Sequence, residues 1–116
     1  MEALLVIAAG YLGCDALDNL ARGLVTGRRT LRYTRLRTCV TLAECIVIGL
    51  IAAAGAAQAH VWEPYVITAY MGAEAAGTLY AAGSEVTASR AVSLMSACAS
   101  IVFVCIIAAT IPHLGH

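Results

Sequence analysis

The sequence predicts an all-α integral membrane protein: a small helical bundle of four transmembrane helices, alternatively three, that forms oligomers. Of its 116 residues, 61% are hydrophobic and only 12% are charged, and the mean hydropathy is +0.85. A soluble domain of this size has to cover most of its surface with polar side chains, which this chain lacks. The same composition excludes a disordered chain, a collagen and a disulfide scaffold.

The first predicted span, residues 3–21, is the least regular. Its charge-free part, residues 3–14, makes about 18 Å of helix, whereas a hydrocarbon core is about 30 Å thick. The helix therefore has to continue through Asp15 and Asp18, although an Asp at a helix centre costs about 2.5–3.5 kcal/mol on insertion. We expect both acids to lie at the cytoplasmic end or to face other helices; a first helix lying in the interface gives the three-span alternative. Glu2 stands where a secretion signal has basic residues, so cleavage is not expected.

Three further apolar runs predict the other spans, residues 38–60, 65–84 and 91–113. The last of them contains no charged side chain. A Trp-Glu-Pro sequence at residues 62–64 predicts a short interfacial turn after the second span. Ser89 is expected to cap the last helix at its N-terminus.

The charge distribution predicts the orientation. Five of the seven arginines crowd residues 28–37, within the connection 22–37 between the first and second spans, and Arg90 lies between the third and fourth. In a four-span topology both connections lie on one side of the membrane, which the positive-inside rule makes cytoplasmic. The five are Arg28, Arg29, Arg32, Arg35 and Arg37.

Two structures remain open for this connection. If it is helical, Arg28, Arg32 and Arg35 share one face, which would bind an anionic leaflet with about 1 kcal/mol per basic residue. A plain topogenic loop explains the arginines equally well. No aromatic or groove-reading element accompanies the charge, so nucleic acid is not an expected partner.

Polar side chains within the first span form one candidate site. Tyr11, Asp15, Asp18 and Arg22 recur at helical spacing and share a face, and Asp18 precedes Arg22 in the better order for an ion pair. This face either lines an aqueous path or a subunit contact, or it is a helix end whose charges are solvated.

Acids within the second and third spans are the stronger candidates. Glu74 lies near the membrane midplane, where an acid is a functional candidate by default. It is expected to be protonated, to pair with Arg22, or to face water in an assembled pore; a neutral, hydrogen-bonded structural acid is the alternative. Glu44 lies nearer its helix start and can extend toward the arginine-rich side.

Small residues crowd the third span. Gly72 with Ala76, and Ala73 with Gly77, form small-xxx-small pairs that let helix backbones approach closely. We expect this face to be the contact through which the protein oligomerises.

No nucleophile–base pair, phosphate-binding loop or metal motif is visible. The sequence therefore predicts neither an enzyme nor a catalytic, cofactor-binding or metal site. Its five cysteines include no CxxC pair and are expected to act as small buried hydrophobic residues.

The order of these features resembles the phage lysis and toxin-secretion holins of the Cp-1 phage holin group. In that group an Asp closing the first helix is followed by a Gly and a basic segment, which Asp18, Gly23, and Gly27 with Arg28 and Arg29 match loosely.

The later pattern of that group is an aromatic run leading into a Glu, then small residues and a Gly. It is similar to residues 70–74 followed by Gly83. The resemblance implies a multi-pass protein of the bacterial inner membrane that accumulates, oligomerises and opens a lesion for an endolysin or a toxin. Its partners are then the lipid bilayer, further copies of itself and that passenger protein.

Two other functional classes remain open. Small dimeric multidrug or cation transporters have nearly this length and four spans, although their proton-coupled Glu lies in the first helix amid aromatic residues. A non-catalytic subunit of a larger membrane complex is the third class.

Overall fold

The computed structural model describes residues 1–25 and 29–114, and this part of the chain contains four α-helices and a two-stranded sheet. The predicted helical architecture is confirmed there, with the sheet as an addition. The elements are α1 (Glu2–Val25), β1 (Arg29–Arg32), α2 (Arg35–Ala59), α3 (Pro64–Tyr80), β2 (Glu85–Ala88), α4 (Arg90–Thr110) and a 3₁₀ turn (Ile111–His113).

Three of the helices, namely α1, α2 and α4 with its 3₁₀ turn, are long and apolar enough to cross a membrane. Helix α3 has 17 residues. It is therefore about 25 Å long, less than the hydrocarbon core of about 30 Å. Helix α1 runs without interruption through Asp15 and Asp18 to Val25. The helix that falls short of a full span is thus α3, whereas the sequence placed the doubt at the first helix.

The four helices pack as two pairs. Helix α1 lies along α4, and α2 lies along α3, whereas contacts between the two pairs are sparse. In the second pair the Thr68 hydroxyl donates a hydrogen bond of 3.0 Å to the Gly49 carbonyl. In the first pair Gly23 packs directly against Leu94. This arrangement leaves a cleft between the pairs.

An apolar core joins the two pairs, mainly at the end of the bundle opposite the sheet. Alternating chain direction brings the start of α1, the end of α2, the start of α3 and the end of α4 together there. The buried residues of this core are Leu5, Ala8, Leu12, Cys45, Ile48, Ala52, Ala59, Ile67, Met71, Phe103, Ile107 and Leu114.

Side-chain caps fix where two helices begin. The Ser89 hydroxyl accepts a hydrogen bond from the Val92 N–H at 3.3 Å, which confirms the predicted cap of α4. The Thr34 hydroxyl accepts one from the Arg37 N–H in the same way at the start of α2. Pro64 opens α3, where its missing N–H costs no helical hydrogen bond.

The two connections at the arginine-rich end pair as strands. Strand β1 runs antiparallel to β2, with Arg29 opposite Ala88 and Arg32 opposite Glu85. The expected surface helix or plain loop is therefore wrong over β1, because extended pairing with β2 satisfies its backbone groups. Arg28 lies outside the described residues.

The sheet is reinforced from both sides. An exposed ion pair of 3.2 Å joins Arg32 to Glu85 across the strands. Beyond the strands, the Gly83 N–H donates to the Tyr33 carbonyl at 2.9 Å. Gly83 has a φ of 81°, a conformation that favours glycine. The sheet thus ties the α1–α2 connection to the α3–α4 connection.

The outward faces of the helices are apolar, as expected for surfaces in contact with lipid. Large exposed hydrophobic side chains on these faces include Val6, Ile7, Leu17, Ile46, Val47, Leu50, Met95, Ile101 and Val102.

The cysteines divide between these faces and the core. Only Cys45 is buried, whereas Cys14, Cys39, Cys98 and Cys105 are exposed and all five are free thiols. The expectation that they are buried is therefore wrong for four of them. A weakly polar thiol is tolerated on a face that meets hydrocarbon.

A local close contact between Leu5 of α1 and Gly55 of α2 gives a stability prediction. A Cβ at Gly55 would lie 3.0 Å from Leu5 Cδ2, and Leu5 is fully buried. We expect Gly55→Val to destabilise the protein by roughly 1–3 kcal/mol, because the added methyl groups force the helices apart. Thermal unfolding in detergent measures the effect. Gly10→Val is the control because a side chain there meets open space; an equal loss in both variants would contradict the prediction.

Candidate functional site

Acids from three helices lie at a similar depth below the sheet. Asp15 precedes the end of α1 by ten residues, and Glu44 follows the start of α2 by nine. Glu74 precedes the end of α3 by six residues. At 1.5 Å per residue these positions are about 15, 14 and 9 Å from the sheet-side ends of their helices.

The structure brings these acids together around two adjoining cavities of about 300 and 280 Å³. We call them the acidic cavity. Asp18 and Glu44 belong to the first part only. The two parts share Asp15, Asn19, Leu31, Tyr33, Met71 and Glu74. The cavity thus lies in the cleft between the α1–α4 pair and the α2–α3 pair.

The wall of the cavity is rich in neutral hydrogen-bonding groups. Tyr11 and Thr41 line the first part. Serines of α4 line the second part together with Tyr70. These serines are Ser93, Ser96 and Ser100. A chamber walled by hydroxyl, amide and carboxylate groups is suited to hold water or a polar guest.

The two glutamates each lie beside a tyrosine. Tyr11 is close to Glu44 in the wall of the first part. Tyr70 is close to Glu74 and Ser96 in the wall of the second part. Their hydroxyl groups are neutral and polar, so they leave the charge of the carboxylates in place.

The acids of α1 have partners on their own helix. Arg22 Nε lies 3.0 Å from both carboxylate oxygens of Asp18, which confirms the predicted ion pair. The Asn19 amide donates to Asp15 at 3.3 Å. Asp15 also lies close enough to Glu74 for their negative charges to interact. In the described structure Arg22 pairs with Asp18 and not with Glu74.

Acidic side chains outnumber basic ones at the cavity. Four carboxylates line it, namely those of Asp15, Asp18, Glu44 and Glu74, whereas Arg37 is the one arginine among its lining residues in the described part of the chain. Ionised acids away from bulk water are costly unless they bind cations, protons or water. The cavity therefore has an excess of acidic side chains within the helical bundle.

Different elements border the opposite ends of the cavity. Leu31 and Tyr33, at and just after β1, and Ala88 of β2 line it from the sheet side. Leu12 and Ile48 of the apolar core line it from the other side. Between these borders the cavity is an open cleft, since Asp15 and Glu74 in its wall are exposed.

No protein-family model, curated protein or solved structure matches this chain. The geometry of the site itself therefore has to indicate the chemistry. Among the described residues no group of three or more His, Cys, Asp or Glu side chains is arranged to hold a metal ion. The acids are spread around a chamber and form no coordination cage.

Several cavity residues carry no signal in the sequence. Arg37, predicted as part of the membrane-surface basic group, lines the cavity instead. Tyr33 and Tyr70 reach it from different connections and helices, so only tertiary packing reveals them. The serines of α4 could have been found from the sequence, since their spacing puts them on one helix face. The same spacing is also typical of small residues at a helix packing contact, which is how Ser93 and Ser100 were interpreted.

The predicted packing face of α3 is exposed. A Cβ at Gly72 or Gly77 would meet nothing within 4 Å, and Ala73 and Ala76 are also exposed. Within one chain these small residues therefore contact no other helix closely. Of the other predicted basic residues, Arg32 and Arg35 are exposed at the sheet end, and Arg29 belongs to β1.

Proposed function

We propose that this chain is a holin-like protein, which oligomerises in the bacterial inner membrane and permeabilises it so that an endolysin or a toxin is exported. The observation that carries the proposal is the acidic cavity between two loosely joined helix pairs. It gives a small membrane protein a polar cleft to which all four described helices contribute.

The cavity explains how one chain can be silent and then open the membrane. In the closed bundle Asp15, Glu44 and Glu74 line one cleft together with the neutral hydroxyl groups of Tyr11 and Thr41. If the two helix pairs separate, the same side chains need water, because facing lipid is costly. Many copies arranged with these faces inward would provide that water as a pore.

The surface of α3 supports self-association. Its exposed small residues, Gly72, Ala73, Ala76 and Gly77, would let a helix of a second copy approach to backbone contact. The sequence resemblance to holins also supports the proposal. The residues on which it rests include Asp18 and Glu74, and both line the acidic cavity.

A four-span topology belongs to this proposal and gives a test of orientation. The sheet unites the two arginine-bearing connections at one end, which the positive-inside rule makes cytoplasmic. A reporter inserted at Thr30 should then be cytoplasmic, and one fused after His116 extracytoplasmic. A cytoplasmic C-terminal reporter would contradict the four-span topology.

Permeabilisation itself is tested with purified protein in vesicles of phosphatidylethanolamine and phosphatidylglycerol, loaded with calcein and a fluorescent dextran. We expect both dyes to escape, with a steep dependence on the protein-to-lipid ratio, because the lesion needs many copies. Retention of both dyes at high protein density would contradict the proposal. A ring or large oligomer in detergent is the accompanying expectation; a fixed partner on co-purification would favour the subunit class.

The acidic cavity also favours a second candidate, a small carrier of cations. Its acids line a cleft within a single chain, as the acids of a cation-binding site do. In the same vesicles, loaded with a pH-sensitive dye, a carrier would retain calcein and dextran and yet move protons when a cation is added outside.

A further inference from the structure

The two-stranded sheet at the arginine-rich end has two open edges. In the described part of the chain β1 pairs with β2, and neither strand has a second neighbour. Both edges are at the surface, because Thr30 and Arg32 of β1 are exposed and so are Glu85 and Thr87 of β2. A free edge presents N–H and C=O groups that can pair with a further strand.

The hydrogen-bond pattern identifies groups that point outward. The Tyr33 N–H donates to the Ser84 carbonyl at 2.9 Å, so these residues continue the ladder as a hydrogen-bonded pair. Bonded and non-bonded pairs alternate in an antiparallel ladder. Three positions back along the register, the pair of Thr30 and Thr87 is therefore non-bonded. The N–H and C=O groups of Thr30 point away from β2, and those of Thr87 point away from β1.

The two edges carry opposite charges. Strand β1 contains Arg29 and Arg32 and no acid, whereas β2 contains Glu85 and no basic residue. Like charges on neighbouring strands are destabilising, so two β1 edges repel each other and so do two β2 edges. A β1 edge is complementary to a β2 edge. Within one copy this preference is present in the ion pair between Arg32 and Glu85.

A second copy of the chain presents these edges in a suitable orientation. Copies inserted in the same direction hold their sheets at the same depth in the membrane, so their edges meet at one level. A neighbour's β1 placed beside β2 continues the antiparallel alternation, with strands of equal length. Because such a contact joins two different edges, it is heterologous, and its repetition generates a ring where the rotation closes.

We infer that the sheet edges join copies of this chain head to tail, with β2 of one copy pairing with β1 of the next. The oligomer then has a continuous sheet on its arginine-rich side. This contact rests on the proposed self-association and not on permeabilisation. It adds to the small-residue contact of α3, and neither contact is sufficient alone.

Proline substitutions test the contact, because proline at an outward-pointing position removes an N–H that the chain's own sheet does not use. The variants are Thr30→Pro on β1 and Thr87→Pro on β2, and native mass spectrometry in a mild detergent counts the copies in each particle. We expect each variant to need about tenfold more protein, or higher, for half-assembly, because hydrogen bonds between copies are lost. The controls are Thr30→Val and Thr87→Val, which keep the N–H and should assemble like the wild type.

A mixture of the two proline variants distinguishes a head-to-tail contact from a symmetric one. The β1 edge of Thr87→Pro and the β2 edge of Thr30→Pro are both intact. One copy of each should therefore form a dimer that grows no further, at a concentration where either variant alone is monomeric. Wild-type assembly of both proline variants would overturn the inference. So would a loss in Thr30→Pro alone, which would indicate pairing between two β1 edges.

Thr87→Arg decides the question if the proline variants fail to fold. It leaves the backbone unchanged and places a positive charge on β2, which should repel the arginines of the next β1 and raise the half-assembly concentration several-fold. Wild-type assembly of this variant, or a wild type that is monomeric at every concentration, would overturn the sheet contact. A wild type that assembles through the sheet and yet retains calcein and dextran in vesicles would contradict permeabilisation and support the sheet contact.

Discussion

Glu74→Leu is expected to preserve membrane insertion and to abolish permeabilisation. Insertion should if anything improve, because Leu at a helix centre favours the membrane by about 0.3–0.6 kcal/mol, whereas an acid opposes it. In the closed bundle the substitution removes the interaction between Glu74 and Tyr70. It also removes the negative charge that repels Asp15 of α1. The lost repulsion between α1 and α3 leaves less reason for the helix pairs to separate, and the lost carboxylate leaves less polar surface for a pore.

Glu74→Gln distinguishes the charge from the shape. The amide keeps a hydrogen-bonding group for Tyr70 but removes the negative charge that interacts with Asp15. We therefore expect permeabilisation to begin later in Glu74→Gln than in the wild type. In Glu74→Leu it should not begin, or should begin roughly tenfold later, since a tenfold change in rate needs a barrier only about 1.4 kcal/mol higher.

Controlled expression in a bacterium provides the measurement: the time from induction to loss of membrane potential, at matched membrane levels of protein. Glu2→Leu is the control, because Glu2 is an exposed acid in the first turn of α1 and far from the cavity. Timing like that of the wild type in both Glu74 variants would show that Glu74 is a structural acid, and the assignment of the site would be wrong.

The parts of this fold that depend on local spacing could be predicted from the sequence. The ion pair between Asp18 and Arg22 is such a case, since four residues along a helix place two side chains side by side. The cap of α4 by Ser89 is another, because a cap bonds only to the next turn. Apolar length likewise places the helices to within a few residues.

Features that depend on distant partners could not be predicted. Strand β1 has four residues, and its partners Glu85 to Ala88 lie more than 50 positions away, so neither strand is recognisable alone. The position of Arg37 in the cavity wall could not be predicted either. Arg37 lies in α2, and it lines the cavity only because α1 and the sheet pack beside that helix. The sequence alone indicates that an acid within a membrane span is costly and therefore a functional candidate. It does not show that the three acids lie around one cavity, because that depends on how three helices pack.

The exposed face of α3 gives the last prediction, which concerns assembly. Two helices approach to backbone contact only where small residues face each other, and in α3 these residues have no neighbour within the chain. In lipid there is little hydrophobic drive between helices, so the loss of close packing is not replaced by another attraction. One Leu at Gly77 therefore removes the closest part of the contact.

Gly77→Leu is thus expected to leave the monomer folded, since a side chain there meets open space, and to prevent oligomers on crosslinking at protein densities where the wild type forms them. Release of dextran from vesicles should fall with the oligomers by about an order of magnitude or more, because a lesion built from many copies multiplies a loss of about 1–2 kcal/mol at each contact.

Ala108→Leu on α4 is the control, since Ala108 is also exposed but lies on another helix. If Gly77→Leu assembles like the wild type and Ala108→Leu does not, the oligomer contact lies on α4. If Gly77→Leu loses its oligomers but still releases dextran, the lesion does not need this interface, and a pore formed by ordered packing of α3 is ruled out.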